Sequence, residues 1–313
     1  MKIHLDTDFA GDPDDACALA MLLGWRGVEI AGITTVADPD GRRADYVRRL
    51  LALTGRTNIP VEPGARVSLT NGQAMGDIPN HDRYWYGPDP QPQVPEPRAA
   101  LDLITNSLDA GASIAAVGPM TNLALLEALH PGSMRDAPVV AMGGWFDPVP
   151  PGNPAWGPSA DWNVQCDTLA ATTVATHAAL TLVPLSTTLR VHLRESDLPG
   201  LEDAGQLGQL ITRQALAYCS DEDKTSIARA HAALPDDLLN FHHDPLACAV
   251  AAGWPGVSTD VLRLKVTTHD GVLQFRPDPD GRAVRVVTDV DSHAFKQAWL
   301  AAVIRAGASQ TSS

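Results

Sequence analysis

Short apolar runs alternate with longer segments of aliphatic and small residues from the first residues to about position 184. The runs predict strands at 2–5, 28–36, 113–117, 138–142 and 180–184, and the longer segments predict helices at 16–25, 44–53, 99–108, 121–129 and 168–176. Alternation of strands with helices is typical of a parallel sheet flanked by helices. The pattern therefore predicts an α/β protein.

The remainder of the chain follows a different pattern. Residues 196–231 are polar and predict mostly helix, followed by a helix around 245–252, a strand pair at 262–268 and 283–288, and a helix at 293–306. No internal repeat, low-complexity block or linker divides the chain. We therefore expect one domain over residues 1–306 and a flexible tail at 307–313.

Residues 66–98 interrupt the alternation with a segment rich in proline, glycine and aspartate. Loops of this length inside a compact domain are usually functional or disordered. The segment contains His81 and the aromatic run Tyr84-Trp85-Tyr86. Aromatic residues among polar ones favour a substrate lid over a merely packed surface loop.

The composition excludes several classes of protein. Hydrophobic residues make up 44% of the 313 residues, which indicates a sizeable core rather than disorder. The formal charge of −14 disfavours binding to nucleic acid or to an anionic membrane. No apolar run approaches the ~18–20 residues of a membrane span.

Four cysteines are scattered without metal-site spacing, at positions 17, 166, 219 and 248. They predict buried thiols in a reducing compartment rather than a disulfide framework. The N-terminus begins directly with a predicted strand and lacks the apolar region of a signal peptide. We therefore expect a cytoplasmic location.

The segment Asp6–Ala16, which follows the first strand, carries five carboxylates within ten residues. Crowded carboxylates repel one another and raise one another's pKa unless a cation neutralises them. A solvated turn is the alternative, but the segment lies between an apolar strand and an apolar helix. It also lacks cysteine and histidine, so its all-oxygen ligands favour calcium or magnesium. In parallel sheets, ligands bind beyond the carboxyl ends of the strands, which is where this loop lies.

Four segments in order resemble the inosine–uridine nucleoside hydrolase family. Asp-Thr-Asp, glycine and Asp-Asp-Ala within 6–16 are similar to its N-terminal signature, and Val117–Ala124 is similar to its Gly-Pro-Leu-Thr-Asn motif. Met142–Gly144 with Asn153 and Asp161–Asn163 resembles its Met-Gly-Gly…Asn…Glu-Phe-Asn segment, and His243–Ala247 its His-Asp-Pro-Leu-Ala motif. The resemblance implies a single-domain, Rossmann-like, open and mostly parallel sheet with the active site at the carboxyl ends of its strands.

The resemblance also implies an activity, a cofactor and site residues. The activity is hydrolysis of the N-glycosidic bond of a ribonucleoside, a small-molecule substrate, by a homodimer or homotetramer. The cofactor is a calcium ion bound by Asp8, Asp15, Asp244 and the backbone carbonyl of Val117. The implied substrate contacts are Asp14 and Asn163 to the 2′- and 3′-hydroxyls, Asn153 and Asp161 to the 5′-hydroxyl, and Met142 and His81 near the sugar.

The expected chemistry agrees with these residue types. Cleavage passes through an oxocarbenium-like sugar, which surrounding carboxylates stabilise. A metal lowers the pKa of water, and Asp8 can accept the proton. The departing base requires an acid, for which His243 is the candidate. A capping role for His243 and a rival role for His242 stay open, and Trp162 is either core or a wall that stacks on the base.

The sequence departs from the family at three places. The acidic loop is two residues longer and contains Asp12, so either Asp12 or Asp14 could meet the 2′-hydroxyl. Asp38-Pro39 stands where the family usually has Gly-Asn, which changes the support of the catalytic aspartate. Asp161 replaces a glutamate and is one methylene shorter.

Two other functions remain as alternatives. A magnesium phosphotransferase of the haloacid dehalogenase type also begins with a strand and Asp-x-Asp, but it has no use for the segment His243–Pro245 and expects threonine or valine at Ala10. A non-catalytic relative that binds ribose or calcium would be expected to lose Asp8, Asp15 or His243. The sequence does not indicate which base is preferred.

Overall fold

Strands from both ends of the chain join one nine-stranded sheet in the computed structural model, which describes residues 1–78, 80–91, 96, 98–146 and 149–308. The strands are β1 (Lys2–Thr7), β2 (Glu29–Thr35), β3 (Val61–Pro63), β4 (Ser113–Ala116), β5 (Pro138–Met142), β6 (Ala179–Val183), β7 (His192–Arg194), β8 (Leu238–Phe241), β9 (Val257–His269), β10 (Val272–Pro277) and β11 (Arg282–Val290). The helices are α1 (Asp14–Gly24), α2 (Arg42–Leu53), α3 (His81–Tyr84), α4 (Ala99–Asp109), α5 (Thr121–Leu129), α6 (Trp162–Cys166), α7 (Thr168–His177), α8 (Leu185–Thr188), α9 (Leu198–Leu201), α10 (Gly205–Asp221), α11 (Lys224–Ala230), α12 (His243–Ala251) and α13 (Ser292–Ala308).

The sheet has the order β10-β9-β11-β6-β5-β4-β1-β2-β3. Strands β11, β6, β5, β4, β1, β2 and β3 pair in parallel, and only the β9 pairings are antiparallel within the sheet. The predicted open, mostly parallel α/β sheet is confirmed. Successive strands leave β1 in opposite directions, towards β2 and towards β4. The gap between the carboxyl ends of β1 and β4 is therefore the switch point at which ligands bind in such sheets.

The predicted closing strand pair is present as β9 and β11, and β10 joins it as a hairpin that the sequence analysis did not predict. The hairpin turns at Asp270 and Gly271, whose φ angles are 50° and 80°. An Asp-Gly pair between apolar strands is a strong hairpin signal, because both residues tolerate positive φ. The strands β3, β7 and β8 were also unpredicted; they are only three or four residues long.

The core on the α1 side of the sheet is built from small and aliphatic side chains. Helix α1 is buried from Asp14 to Leu22, and α13 lies directly against it. The indole N–H of Trp299 donates a hydrogen bond to the carbonyl of Cys17 at 3.2 Å, which fastens α13 to α1. A Cβ on Gly24 would lie 1.8 Å from the carbonyl oxygen of Ala302, so the two helices approach too closely there for any other residue.

All four cysteines are free, as expected, although only Cys17 and Cys248 are buried while Cys166 and Cys219 are half-buried. Helix α13 includes residues 307 and 308, so the first two residues of the predicted tail are helical, and 309–313 lie outside the described residues. Among helices of the described residues, none has the length and apolar character needed to cross a membrane.

Candidate active site

The acidic loop ends with two carboxylates in the first turn of α1. Asp14 and Asp15 are both buried there, where the positive end of the helix dipole favours negative charge. The hydroxyl of Thr7, the last residue of β1, donates a hydrogen bond to Oδ1 of Asp15. The backbone N–H of Asp244 donates to Oδ2 of Asp14 at 3.1 Å, which joins the start of α12 to the start of α1.

Asp244 adds a third buried carboxylate to the same place. Asp14, Asp15 and Asp244 each offer an oxygen within 4.8 Å of the other two. Burial, followed by repulsion from the neighbouring carboxylates, raises the pKa of all three well above the usual range. None of the ion pairs among the described residues includes them. Three hard oxygen donors outside any ion pair fit a divalent cation such as calcium or magnesium.

Asp12, the extra carboxylate of the loop, has partners of its own. Its Oδ1 accepts hydrogen bonds from the side-chain amide of Asn240 and from the backbone N–H of Asp14, the latter at 3.0 Å. Tyr218 also hydrogen-bonds to its side chain. These contacts anchor Asp12 to neighbouring elements, whereas Asp14 belongs to the carboxylate cluster. Both line the cavity, and the ribose contact of either one stays a prediction.

The position of Asp8 is fixed through its backbone as well as its carboxylate. Arg43, buried in α2, donates to the backbone carbonyls of Asp8, Phe9 and Ala37, the last two at 2.8 Å. These bonds hold the residues directly before Ala10, which has the strained φ of 74°. Burial raises the pKa of Asp8, while Arg43 and a hydrogen bond from Trp162 oppose that rise.

Asp38 does not take the place of the asparagine that supports the catalytic aspartate in the family. Its carboxylate accepts hydrogen bonds from the Thr35 hydroxyl at 2.8 Å and from the backbone N–H groups of Arg43 and Ala44 at 3.1 and 3.0 Å. These bonds cap the start of α2. Asp38 therefore positions Arg43, and Arg43 holds the loop that carries Asp8.

The loop after β4 passes close to Asp8. A Cβ on Gly118 would lie 2.7 Å from the backbone nitrogen of Asp8, so only glycine fits there. The preceding carbonyl, of Val117, accepts a hydrogen bond from the amide of Asn163 at 2.8 Å, and the same amide lies 3.3 Å from the carbonyl of Met142. The structure thus brings Val117, Asn163 and Met142 together at the floor of one cavity.

Asp161 lies next to this group but outside the cavity lining. Its carboxylate accepts from the backbone N–H of Gly144 at 2.5 Å and of Val164 at 3.3 Å, so it caps α6 and supports the Gly-Gly turn after β5. Burial raises its pKa to about 6. Both of its oxygens face backbone donors, and the expected contact with the 5′-hydroxyl stays a prediction.

Two other expected substrate residues lie apart from the cavity. Asn153 borders a separate cavity beside Arg190 and His192, and its amide donates to the carbonyl of Pro150 at 3.2 Å. The ring nitrogens of His81 contact the Tyr46 hydroxyl and the Gly87 carbonyl, both at 2.9 Å. The loop sequence indicated aromatic and polar chemistry, but Tyr84 rather than His81 lines the cavity.

His243 faces the cavity at the start of α12. Its Nδ1 lies 2.7 Å from the hydroxyl of Thr188, and its ring stacks on Phe241 with the centroids 5.3 Å apart. Burial, with smaller contributions from Lys224 and His192, lowers the pKa of His243 to about 3. The ring is therefore neutral at pH 7 in this structure.

His242, the rival acid, points into the core. Its ring lies 4.4 Å from that of Trp299 and 6.0 Å from that of Phe295, both on α13. It does not line the cavity, which favours His243 for chemistry. Trp162, by contrast, is a wall residue: it lines the cavity with 54% of its surface exposed and packs its ring against Gly76.

The cavity has a volume of about 790 Å³, within the usual range for small-molecule sites. Its floor holds the carboxylates, and its walls include Tyr84 of the aromatic run and residues that the sequence analysis did not single out: Arg43, Trp156, Tyr218, Asp221 and Lys224. These five belong to no motif. Trp156 lies in the loop before α6, and the others reach the cavity because α2, α10 and α11 pack around it. Their sequence neighbourhoods carry no signal that could have identified them individually.

Comparison with known proteins gives the decisive observation. The profile of the family described as inosine–uridine preferring nucleoside hydrolase matches residues 3–297. The chain belongs to this family. It is therefore an enzyme of the nucleoside N-ribohydrolase class, and the phosphotransferase alternative is wrong.

Curated relatives and solved structures agree with this assignment to the nucleoside hydrolase family. The pyrimidine-specific ribonucleoside hydrolase RihA of an Enterobacter species is 32% identical over 264 residues, which cover 81% of this chain and 78% of the relative. RihA of Salmonella choleraesuis is 29% identical and covers 84% of this chain and 83% of its own. The purine-preferring ribonucleoside hydrolase of Gardnerella vaginalis shares the fold, with a TM-score of 0.79 at 21% identity over 98% of this chain and 99% of its own.

Proposed function

We propose that the chain hydrolyses the N-glycosidic bond of a ribonucleoside at the cavity beyond β1 and β4, with calcium as its cofactor. The observation that carries the mechanism is the cluster of Asp14, Asp15 and Asp244, three buried carboxylates within 4.8 Å at the floor of a nucleoside-sized cavity. Their raised pKa values indicate that the protein alone does not neutralise them. A divalent cation bound among the three carboxylates would neutralise their charge.

The ligand set proposed for calcium is Asp8, Asp15, Asp244 and the carbonyl of Val117. All four offer oxygen, and calcium accepts six to eight oxygen ligands in irregular geometry, so hydroxyls of the substrate can complete the set. When bound, the ion would supply positive charge that holds the ribose hydroxyls and makes water more acidic.

The side chains at the floor would hold and polarise the sugar. Asp14 accepts hydrogen bonds from a ribose hydroxyl, and Asn163, already fixed by the carbonyl of Val117, contacts the neighbouring one. Asp8 accepts the proton of the attacking water, while the surrounding carboxylates stabilise the oxocarbenium-like sugar. The 5′-hydroxyl contacts of Asn153 and Asp161 and the sugar contact of His81 stay predictions of the family resemblance, since none of the three lines the cavity.

His243 and Trp162 would act on the base. His243 faces the cavity. Its ring is neutral in the free site, so it would first take up a proton, which the negative charge developing on the leaving nitrogen favours, and then pass that proton to the base. Trp162 offers an exposed indole face for stacking. Relatives that are 29% and 32% identical are named as pyrimidine-specific, so we propose a pyrimidine ribonucleoside as the preferred substrate.

The test is a panel of ribonucleosides assayed for released reducing sugar. Uridine, cytidine, inosine and adenosine are compared with 2′-deoxyuridine and with p-nitrophenyl riboside, before and after chelation and calcium return. We expect ribosides to be cleaved, with activity restored by calcium. The 2′-deoxy substrate should lose ~10²-fold or more in kcat/KM, because Asp14 loses its hydroxyl partner and buried unpaired groups cost about 1–3 kcal/mol each. Full activity without metal, or equal rates on uridine and 2′-deoxyuridine, contradicts the proposed site.

A further inference from the structure

Lys224, the first residue of α11, is a buried lysine on the cavity wall. Only 7% of its surface is exposed, yet it lines the cavity. Its ammonium lies 4.8 Å from the centroid of the Tyr218 ring and 5.7 Å from that of Phe241. Among the described residues, no ion pair or hydrogen bond involves this ammonium. The lysine is therefore held by aromatic faces, and its three donors are available to a ligand.

A hydrogen-bond acceptor for the Lys224 ammonium could bind in the cavity. The charge of Lys224 opposes the rise in the pKa of Asp12, but that carboxylate already accepts from Asn240 and from the backbone of Asp14. A buried ammonium without a hydrogen-bonded partner is costly, so a pocket that retains one is suited to a ligand with acceptor atoms. Lys224 offers donors only, which selects carbonyl oxygen or anionic acceptors over amino groups.

The aromatic ring of Phe241 relates Lys224 to the proposed chemistry. The ring of His243 stacks on Phe241, and the ammonium of Lys224 approaches the same ring. The ribose is proposed to lie on the carboxylates of the floor, so the base extends towards His243 and its neighbours. Lys224 therefore lies on the base side of the cavity.

We infer that Lys224 contacts the departing base and stabilises its negative charge through a carbonyl oxygen conjugated to the glycosidic nitrogen. The inference rests on the proposed function. As the C1′–N bond breaks, its electron pair passes to the base, and the oxygen of water bonds to C1′ while Asp8 accepts the proton. The charge on the base delocalises onto the carbonyl oxygen, to which Lys224 donates a hydrogen bond without giving up its proton. The glycosidic nitrogen takes a proton that His243 relays from solvent, so the ring ends neutral as it began.

The experiment compares Lys224→Met and Lys224→Arg with wild type on uridine and on p-nitrophenyl riboside. Removal of one donor to a developing anion costs ~10²–10³-fold in rate. We therefore expect Lys224→Met to lower kcat/KM for uridine by about 10²-fold. For p-nitrophenyl riboside, whose leaving anion needs little stabilisation, the loss should be less than about 10-fold. Lys224→Arg should recover part of the loss on uridine.

Two controls separate a leaving-group role from a structural one. Lys265→Met removes a lysine whose side chain is 58% exposed, on β9, and should change neither rate. Calcium affinity, measured by calorimetry, should be the same in Lys224→Met and wild type, because the lysine is assigned to the base and not to the carboxylate cluster. Equal losses on both substrates, or weakened calcium binding, would show that Lys224 only balances the charge of Asp12 and would overturn the inference.

The outcome for wild type distinguishes the two proposals. If wild type cleaves no riboside, the proposed function fails before Lys224 is tested. If wild type cleaves both substrates and Lys224→Met cleaves uridine at the wild-type rate, the proposed function stands and the leaving-group role of Lys224 is wrong.

Discussion

The floor of the cavity is built from segments that follow strands, whereas much of its wall is built from helices that pack from other parts of the chain. The floor carboxylates lie in the first turns of α1 and α12, after β1 and β8, and Val117 directly follows β4. The helical part of the wall includes α3, α10 and α11, which contribute Tyr84, Tyr218 and Lys224. The two regions also differ in charge, since the floor concentrates carboxylates and the wall adds an ammonium.

The two regions are also held differently. The floor is fixed by buried backbone contacts, such as the bonds of Arg43 to three loop carbonyls. The wall is fastened by side chains at the surface: the Tyr84 hydroxyl donates to Asp221 at 2.7 Å, and Arg83 pairs with the same carboxylate at 2.7 Å. We therefore expect changes at the floor to affect chemistry strongly and changes at the wall fastening to affect substrate binding mildly.

The largest effect is expected at the floor, from Asp15→Ala. The substitution removes one of three clustered carboxylates, so calcium affinity and turnover should fall together. We expect kcat/KM to fall by about 10³-fold, because the transition state would lose several kcal/mol of stabilisation by the metal. Calorimetry of calcium binding and the ribonucleoside assay measure the two quantities. Asp260→Ala, at an exposed position of β9, is the matched control. Undiminished calcium binding in Asp15→Ala would remove Asp15 from the ligand set.

A smaller effect is expected from Arg43→Met, which tests whether the floor depends on its backbone support. The carbonyls of Asp8 and Phe9 would lose their buried donor, and hydrogen bonds from charged groups contribute about 1.5–3 kcal/mol. We expect kcat/KM to fall by about 10-fold or more and the calcium affinity to weaken, because Asp8 moves away from its position. Arg42→Met, which changes the neighbouring half-exposed arginine paired with Asp40, should leave both unchanged. A lower melting temperature with normal calcium affinity would indicate a structural role alone.

The smallest effect is expected from Asp221→Ala, which removes the partner of Tyr84 and Arg83. The wall should loosen, so KM should rise a few-fold while kcat and calcium affinity stay near wild type. An exposed ion pair contributes only about 0–1 kcal/mol, which sets this scale. Asp203→Ala, at another exposed acidic position, serves as the control. A large loss of kcat in Asp221→Ala would mean that the wall and the floor are not separable.

The sequence predicted the acidic part of the cavity floor because the pattern that identifies it lies within short segments of the chain. The run Asp6–Ala16 places carboxylates directly after a strand, and the carboxyl ends of parallel strands gather at one edge of a sheet. The alternation of strands and helices therefore sufficed to predict that the acidic loop lies at this edge, whereas the meeting of Asp8 with Val117 and Asp244 was implied by the family resemblance. Asp244 follows β8, which belongs to a separate two-stranded sheet. The difference between the partners of Asp12 and Asp14, by contrast, depends on the hydrogen bond from Asn240, more than two hundred residues away along the chain.

The sequence could not show the partners of Asp161, Asn153 and His81, because these partners are also distant along the chain or set by packing. Whether a polar side chain faces a ligand or caps a helix depends on which backbone donors lie nearby, and that is settled by packing. Asp161 meets the N–H groups of Gly144 and Val164, and His81 meets Tyr46 on α2. Motif position alone does not reveal such partners.

The sequence by itself determined the α/β class, the order of most elements and the crowding of carboxylates in the acidic loop, because hydrophobic periodicity and strand ends are properties of short segments. Only the tertiary structure decided which residues form the wall. Lys224 reaches the cavity because α11 packs on β8 and its ammonium rests between Tyr218 and Phe241. Contacts of this kind join segments that are distant along the chain, and they depend on how the side chains of packed elements are buried against one another.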